Sequence, residues 1–162
     1  MNNPLVRLIF NRGGFGQSMS RAETIEHVNP ILEQHVRLNR SYNQVIDTLS
    51  DDDIVDELRA FQKTARADAG KLSETILSAG GTAYNGTDLR GVTFDLGETE
   101  TDMLFALRDR EQALHDAVMD DLDENHQMRT RAILEVVQGN SAERLDYLKG
   151  VTKSRNRRTP AS

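Results

Sequence analysis

Glu111 and His115 stand four residues apart in the stretch REQALHDAV (110–118), among apolar residues spaced for a helix. A carboxylate and an imidazole on one helical face are ligands for iron, manganese or zinc, ions that take oxygen and nitrogen donors. Two more such groups sit on other apolar stripes. His35 lies on the stripe Leu32, His35, Asn39, Tyr42, Ile46, Leu49, and Asp68 on the stripe Ile54, Leu58, Phe61, Ala65, Asp68, Leu72, Ile76. Each falls near the middle of its stripe, where a charged group is costly to bury unless it is paired or bound to a metal. Glu135, on the last helical stretch, completes the candidate set. His35, Asp68, Glu111, His115 and Glu135 are therefore either an unorthodox metal site between helices or polar groups that satisfy one another. In the second case Asp68 pairs with Lys71 or Arg66, and Glu111 with His35.

Hydrophobic spacing is helical nearly throughout, and no alternating run reaches strand length. The spacing predicts four helices, over about residues 30–49, 51–79, 99–124 and 127–153. Asn29-Pro30 reads as the first start, an N-cap followed by Pro at the first helical position. Upstream, Ser20-Arg-Ala-Glu23 is a capping box, so residues 21–28 form at most a short helix that Pro30 kinks or ends. Ser50-Asp-Asp-Asp53 and Thr99-Glu-Thr-Asp102 open the second and third helices, and Gly80-Gly81 closes the second. The third stripe is Leu104, Leu107, Glu111, Leu114, Val118, Leu122; the fourth carries Ile133, Leu134, Val137, Leu145 and Leu148 and is expected to run on through Gly139. Short links make the first and second pairs antiparallel hairpins. Residues 80–97 (GGTAYNGTDLRGVTFDLG) lack a helical stripe; some 18 residues can extend roughly 55 Å, enough to carry the chain the length of a bundle. The reading is an all-α four-helix bundle (29–153) with a long crossover between its second and third helices. An N-terminal extension (1–28) precedes it and a basic tail (154–162) follows.

The chain has 162 residues, enough for one domain with a real core, and no Cys, which removes thiolate metal sites, disulfides and a thiol nucleophile. No apolar run approaches the roughly 20 residues of a membrane span, and a cytoplasmic location is the expectation. All 26 acids lie between Glu23 and Asp146, whereas Arg7, Arg12, Arg21, Lys149, Lys153, Arg155, Arg157 and Arg158 mark the two ends. Phosphate binding needs basic charge on the folded face, so an acidic body argues against a nucleic-acid partner. Basic ends on an acidic body fit a homo-oligomer, a dimer or larger, and the apolar, basic segment 5–15 is a candidate anchor for a partner protein. The glycine pairs in NRGGFG (11–16) and at 80–81 follow no strand and lack the Gly-Lys-Ser/Thr ending of a phosphate loop.

Three stretches together, ILEQHVRLNRSYNQVIDTL, ELRAFQKTARADAGKLSETILSAGG and LRDREQALHDAV, resemble the ferritin-like superfamily over about residues 30–153. The likeness is to a bacterial four-helix branch distantly related to rubrerythrins and bacterioferritins. It implies a ferritin-like bundle, whose di-iron centres take a Glu from each of two helices and a Glu-x-x-His from each of the other two. Glu111 matches the third-helix glutamate. The second-helix motif position holds Asp68-Ala-Gly-Lys71, the fourth-helix position Asn140-Ser-Ala-Glu143, and Asn39 falls where the first helix supplies its carboxylate. A protonated Lys cannot ligate, and no Glu-x-x-His occurs anywhere in the chain. The implied function is a non-catalytic, interaction or stress-related protein whose metal centre is degenerate or absent, with no cofactor. The alternatives are an iron- or manganese-binding bundle, for storage or redox chemistry, and a bundle that takes a small apolar ligand between its helices.

Overall fold

The computed structural model describes residues 17–158, without the side chain of Arg158. The anchor expected at 5–15 lies outside these residues, as does the end of the basic tail. The described chain forms four long α-helices: α1 (Arg21–Thr48), α2 (Asp52–Ser78), α3 (Glu100–Leu122) and α4 (Met128–Arg158), with one turn of 3-10 helix at Thr87–Leu89. There is no strand among the described residues, and no helix is long and apolar enough to cross a membrane. The all-α four-helix expectation is met.

The caps follow from local chemistry. Ser20 accepts from the Glu23 amide, and the Glu23 carboxylate accepts from the Ser20 amide, which satisfies two N–H groups that no helical turn can reach. Thr99 and Asp102 repeat the device at α3. At α2 the cap is Asp51 rather than Ser50: its carboxylate accepts from Ile54 N, while Ser50 N–H donates to Glu100.

Two boundaries are corrected. α4 continues to Arg158, into the stretch 154–162 expected as a tail. The first long helix begins at Arg21, not at Pro30, and Pro30 lies inside it. Proline leaves the Glu26 carbonyl without its helical donor, yet Thr24 and Val28 before it and Ile31 and Leu32 after it are all buried, so one continuous helix keeps a single apolar face. Asn29 is no cap. Its Oδ1 accepts from Tyr84 N and its Nδ2 donates to the Thr82 carbonyl. α4 runs unbroken through Gly139, as expected.

α1 packs against α2 and α3, and α4 against the same two. The four helices thus form a square, with α1 opposite α4 and α2 opposite α3. Leu58, Leu72, Leu104, Leu107, Leu114, Leu134 and Leu148 are fully buried in it; each contributes on the order of 1.5–3 kcal/mol. Residues 79–99 lie against α1 in successive rungs. After Asn29 come Arg40, which donates to the Gly86 and Leu89 carbonyls, and Gln44, which donates to Phe94 O and accepts from Phe94 N. Ser50 to Glu100 is the last. From Asn29 to Gln44 the helix rises roughly 22 Å.

Candidate functional site

A polar cluster lies inside the bundle, and all four helices build it. α1 supplies His35 and Tyr42, α2 Asp68, α3 Glu111, and α4 Asn140, Ser141 and Arg144. His35, Tyr42, Asp68, Glu111, Ser141 and Arg144 each have 0 % of their surface exposed. They arrive there by periodicity. Leu134, Val137, Ser141, Arg144 and Leu148 follow one inward seam of α4 at alternating spacings of three and four, so Ser141 and Arg144 occupy positions that elsewhere hold aliphatic side chains.

Glu111 is the hub. Its Oε2 accepts from the Tyr42 hydroxyl at 3.0 Å. Its Oε1 accepts from Ser141 Oγ at 2.7 Å and from Arg144 Nε at 3.0 Å. Arg144 Nη2 lies 3.0 Å from the same oxygen, within ion-pair range, but off the axis of a hydrogen bond. The other arm of the guanidinium reaches toward α2, with Nη1 3.6 Å from Asp68 Oδ2. Asp68 in turn accepts from Asn140 Nδ2 at 2.9 and 3.1 Å, and the half-exposed Lys71 ammonium stands 3.7 Å from its Oδ1. Each of the four carboxylate oxygens faces a donor. The two carboxylates are also matched by two fixed cations, Arg144 and Lys71.

Burial and charge shift the neighbours in consistent directions. Burial is the largest single influence on Arg144 and works against its positive charge, but Glu111, Tyr42 and Asp68 together outweigh it, and the guanidinium pKa ends above its ordinary value. Tyr42 is pushed well above the usual phenol range, first by burial and then by the Glu111 charge. His35 is lowered to about 3, by burial first and the Arg144 charge second. It is therefore a neutral imidazole at any physiological pH. Neither of its ring nitrogens has a hydrogen-bond partner, nor has Asn39 Oδ1 one turn further along α1.

Of the five candidates from sequence, the structure brings Asp68 and Glu111 into one network and places His35 within the field of Arg144. His115 is only partly buried; its Nε2 lies 3.3 Å from Gln138 Nε2, and its Nδ1 3.8 Å from Asp116. Glu135 is on the exposed face of α4 and belongs to no such cluster among the described residues. The pairing expected for Asp68 with Lys71 is present, whereas Glu111 takes Tyr42, Ser141 and Arg144 instead of His35. Sequence reasoning missed Tyr42, Asn140, Ser141 and Arg144 as members. For Ser141 and Arg144 the signal was there, in the seam of α4 carried through Gly139. No protein-family model and no curated protein matches the chain, which leaves the chemistry of this centre to speak for it.

Proposed function

We propose that the protein is a ferritin-like bundle whose central site is neutralised from within, and that it acts as a non-catalytic interaction or stress-related protein. The rungs from Asn29 to Ser50 support the crossover topology, because the segment after α2 meets α1 at progressively later residues. The observation that carries the reading is the position of Arg144. Its guanidinium lies between Glu111 and Asp68, 3.0 Å from one and 3.6 Å from the other, and supplies the positive charge that two buried carboxylates require. A divalent ion placed on the same oxygens would face Arg144 at close range, with Asn140 and Ser141 directing protons, not lone pairs, at its ligands. This donor set does not fit a core metal pair. Met119, Met128 and Val136, exposed on the adjacent helices α3 and α4, add apolar outer surface for a partner or a second copy.

One observation favours core metal binding through His35, Asp68 and Glu111 instead: the two unpaired nitrogens of buried His35. Metal content separates the two readings. Protein purified without chelator, and then offered Fe(II) and Mn(II), is expected to hold the same amount of either metal with Glu111 intact and in Glu111→Gln. Stoichiometric iron or manganese in the wild type that disappears in Glu111→Gln would overturn the proposal.

A further inference from the structure

A second cluster of ligand-type side chains lies away from the central site, where α3 ends. His27 comes from the second turn of α1, Asp121 from the last turn of α3, and His126 from the turn into α4. His27 Nδ1 stands 2.6 Å from Asp121 Oδ1, and His126 Nε2 stands 2.7 Å from Asp121 Oδ2. The two rings meet edge to face with centroids 5.8 Å apart. One ligand atom from each of the three residues falls within 4.8 Å of the others. Asp121 and His126 are buried and His27 is about one third exposed at its side chain, so the cluster is largely shielded and His27 is its most accessible member.

We propose that His27, Asp121 and His126 bind a divalent transition-metal ion, zinc being one that two imidazoles and one carboxylate suit. Three observations distinguish this cluster from the centre of the bundle. First, no permanently charged side chain answers its carboxylate, whose partners are the two imidazoles. Among the described residues, no Lys or Arg lies in ion-pair range of Asp121, whereas Asp68 and Glu111 have Lys71 and Arg144. Second, the setting favours a cation. Asp121 sits at the carboxyl end of a 23-residue helix, the negative pole of its dipole, and Asp120, Asp123 and Glu124 flank it in sequence. Arg131 is close, but it spends its guanidinium on the Leu122 and Glu124 carbonyls.

Third, the turn that carries His126 is held in place before any ion arrives. The Met19 amide donates to Asn125 O, Gln127 Nε2 donates to Met19 O, Asn125 Nδ2 donates to the Gln17 carbonyl, and His126 N donates to Glu124 O. Zinc takes nitrogen and oxygen ligands at about 2.0–2.2 Å, which places tetrahedral ligand atoms roughly 3.4 Å apart. Admitting the ion therefore asks each His–Asp pair to open by less than about 1 Å. His27, about one third exposed, can supply its share by a side-chain rotation. Three protein ligands leave the fourth position to solvent.

The test is a calorimetric titration of the metal-free, full-length chain with zinc chloride. The wild type is expected to take up one ion per chain. His27→Gln keeps a side chain of similar size at a partly exposed position, and its circular dichroism should match the wild type. It is expected to weaken binding at least as much as the roughly 10–100-fold typical of losing an outer partner. His126→Gln should do the same, and His115→Gln should bind as the wild type does. Cobalt(II) in place of zinc should give the visible absorption of a tetrahedral site in the wild type and in His115→Gln, and not in His27→Gln or His126→Gln. No uptake by the wild type, or uptake unchanged in His27→Gln, would overturn the site. Uptake that survives His27→Gln but is lost in Glu111→Gln would place the ion in the centre of the bundle and overturn the central reading as well.

Discussion

A histidine that is neutral because it is buried beside a guanidinium sets the behaviour of this protein in acid. With its pKa lowered to about 3 by burial and Arg144, His35 stays unprotonated in the folded chain, while the unfolded chain takes up its proton near the ordinary value of about 6.5. Between those values the unfolded state binds more protons. The contribution of His35 to folding stability therefore rises with pH through that window and falls as pH drops below about 6.5. The maximum slope from this one group is about 1.4 kcal/mol per pH unit. Urea unfolding at pH 7 and pH 5 should accordingly show a smaller loss of stability in His35→Leu than in the wild type, by up to about 2 kcal/mol. Equal losses would mean that His35 is not held neutral. At the same scale, sequence reasoning had three of the seven members of the polar centre. Asp68, Glu111 and His35 stood out because charged or polar types on an apolar stripe demand a reason. Arg144 did not, because an arginine on a polar-rich helix reads as a solvated side chain until the stripe is carried across Gly139 and Asn140. What an isolated stripe lacks is the identity of its partners, since Tyr42 to Glu111 and Asn140 to Asp68 join residues 69 and 72 positions apart.

The elements were largely legible because helices announce their ends chemically. Two of the three capping boxes read from sequence form as such, and the stripe of α3 from Leu104 to Val118 is the buried face observed. Pro30 misled because a proline usually starts or stops a helix, and here tertiary burial on both sides of it outweighs one missing hydrogen bond. Glycines give a matched test of what each position demands. Gly139 is helical and exposed, and an added Cβ would meet nothing within 4 Å. Gly139→Ala should then stabilise the protein by about 0.5–1 kcal/mol through helix propensity and the entropy of the unfolded chain. Gly97 has a φ of +93°, and its Cβ would collide with Asp102 Cβ, a member of the α3 capping box. Gly97→Ala should lower stability by more than that gain. Thermal melts of the two variants should move in opposite directions about the wild type. A rise with both would show that the 97–99 entry to α3 is not fixed as described.

At the scale of the whole molecule, the fold brings residues from four helices to one buried point and places a cation there. A buried ion pair is not a bonus by default, since desolvation can exceed the attraction between its members. What it does is make each partner indispensable to the other. That interdependence would hold the four helices in one register, with Glu111 of α3 tied to α1 through Tyr42 and to α4 through Ser141 and Arg144. That the chain is an all-α four-helix bundle was accessible from its helical spacing, whereas its central chemistry depended on which distant seams met. The direct measurement is a double-mutant cycle in global unfolding, on the wild type, Arg144→Met, Glu111→Gln and the two combined. If the guanidinium is the counter-ion of the centre, Arg144→Met alone should cost about 3–5 kcal/mol, because it strands a buried carboxylate. The double variant should then cost less than the sum of the singles, by about 1–3 kcal/mol. Single costs that simply add, to within about 0.5 kcal/mol, would contradict the claim that Arg144 and Glu111 neutralise each other in the core.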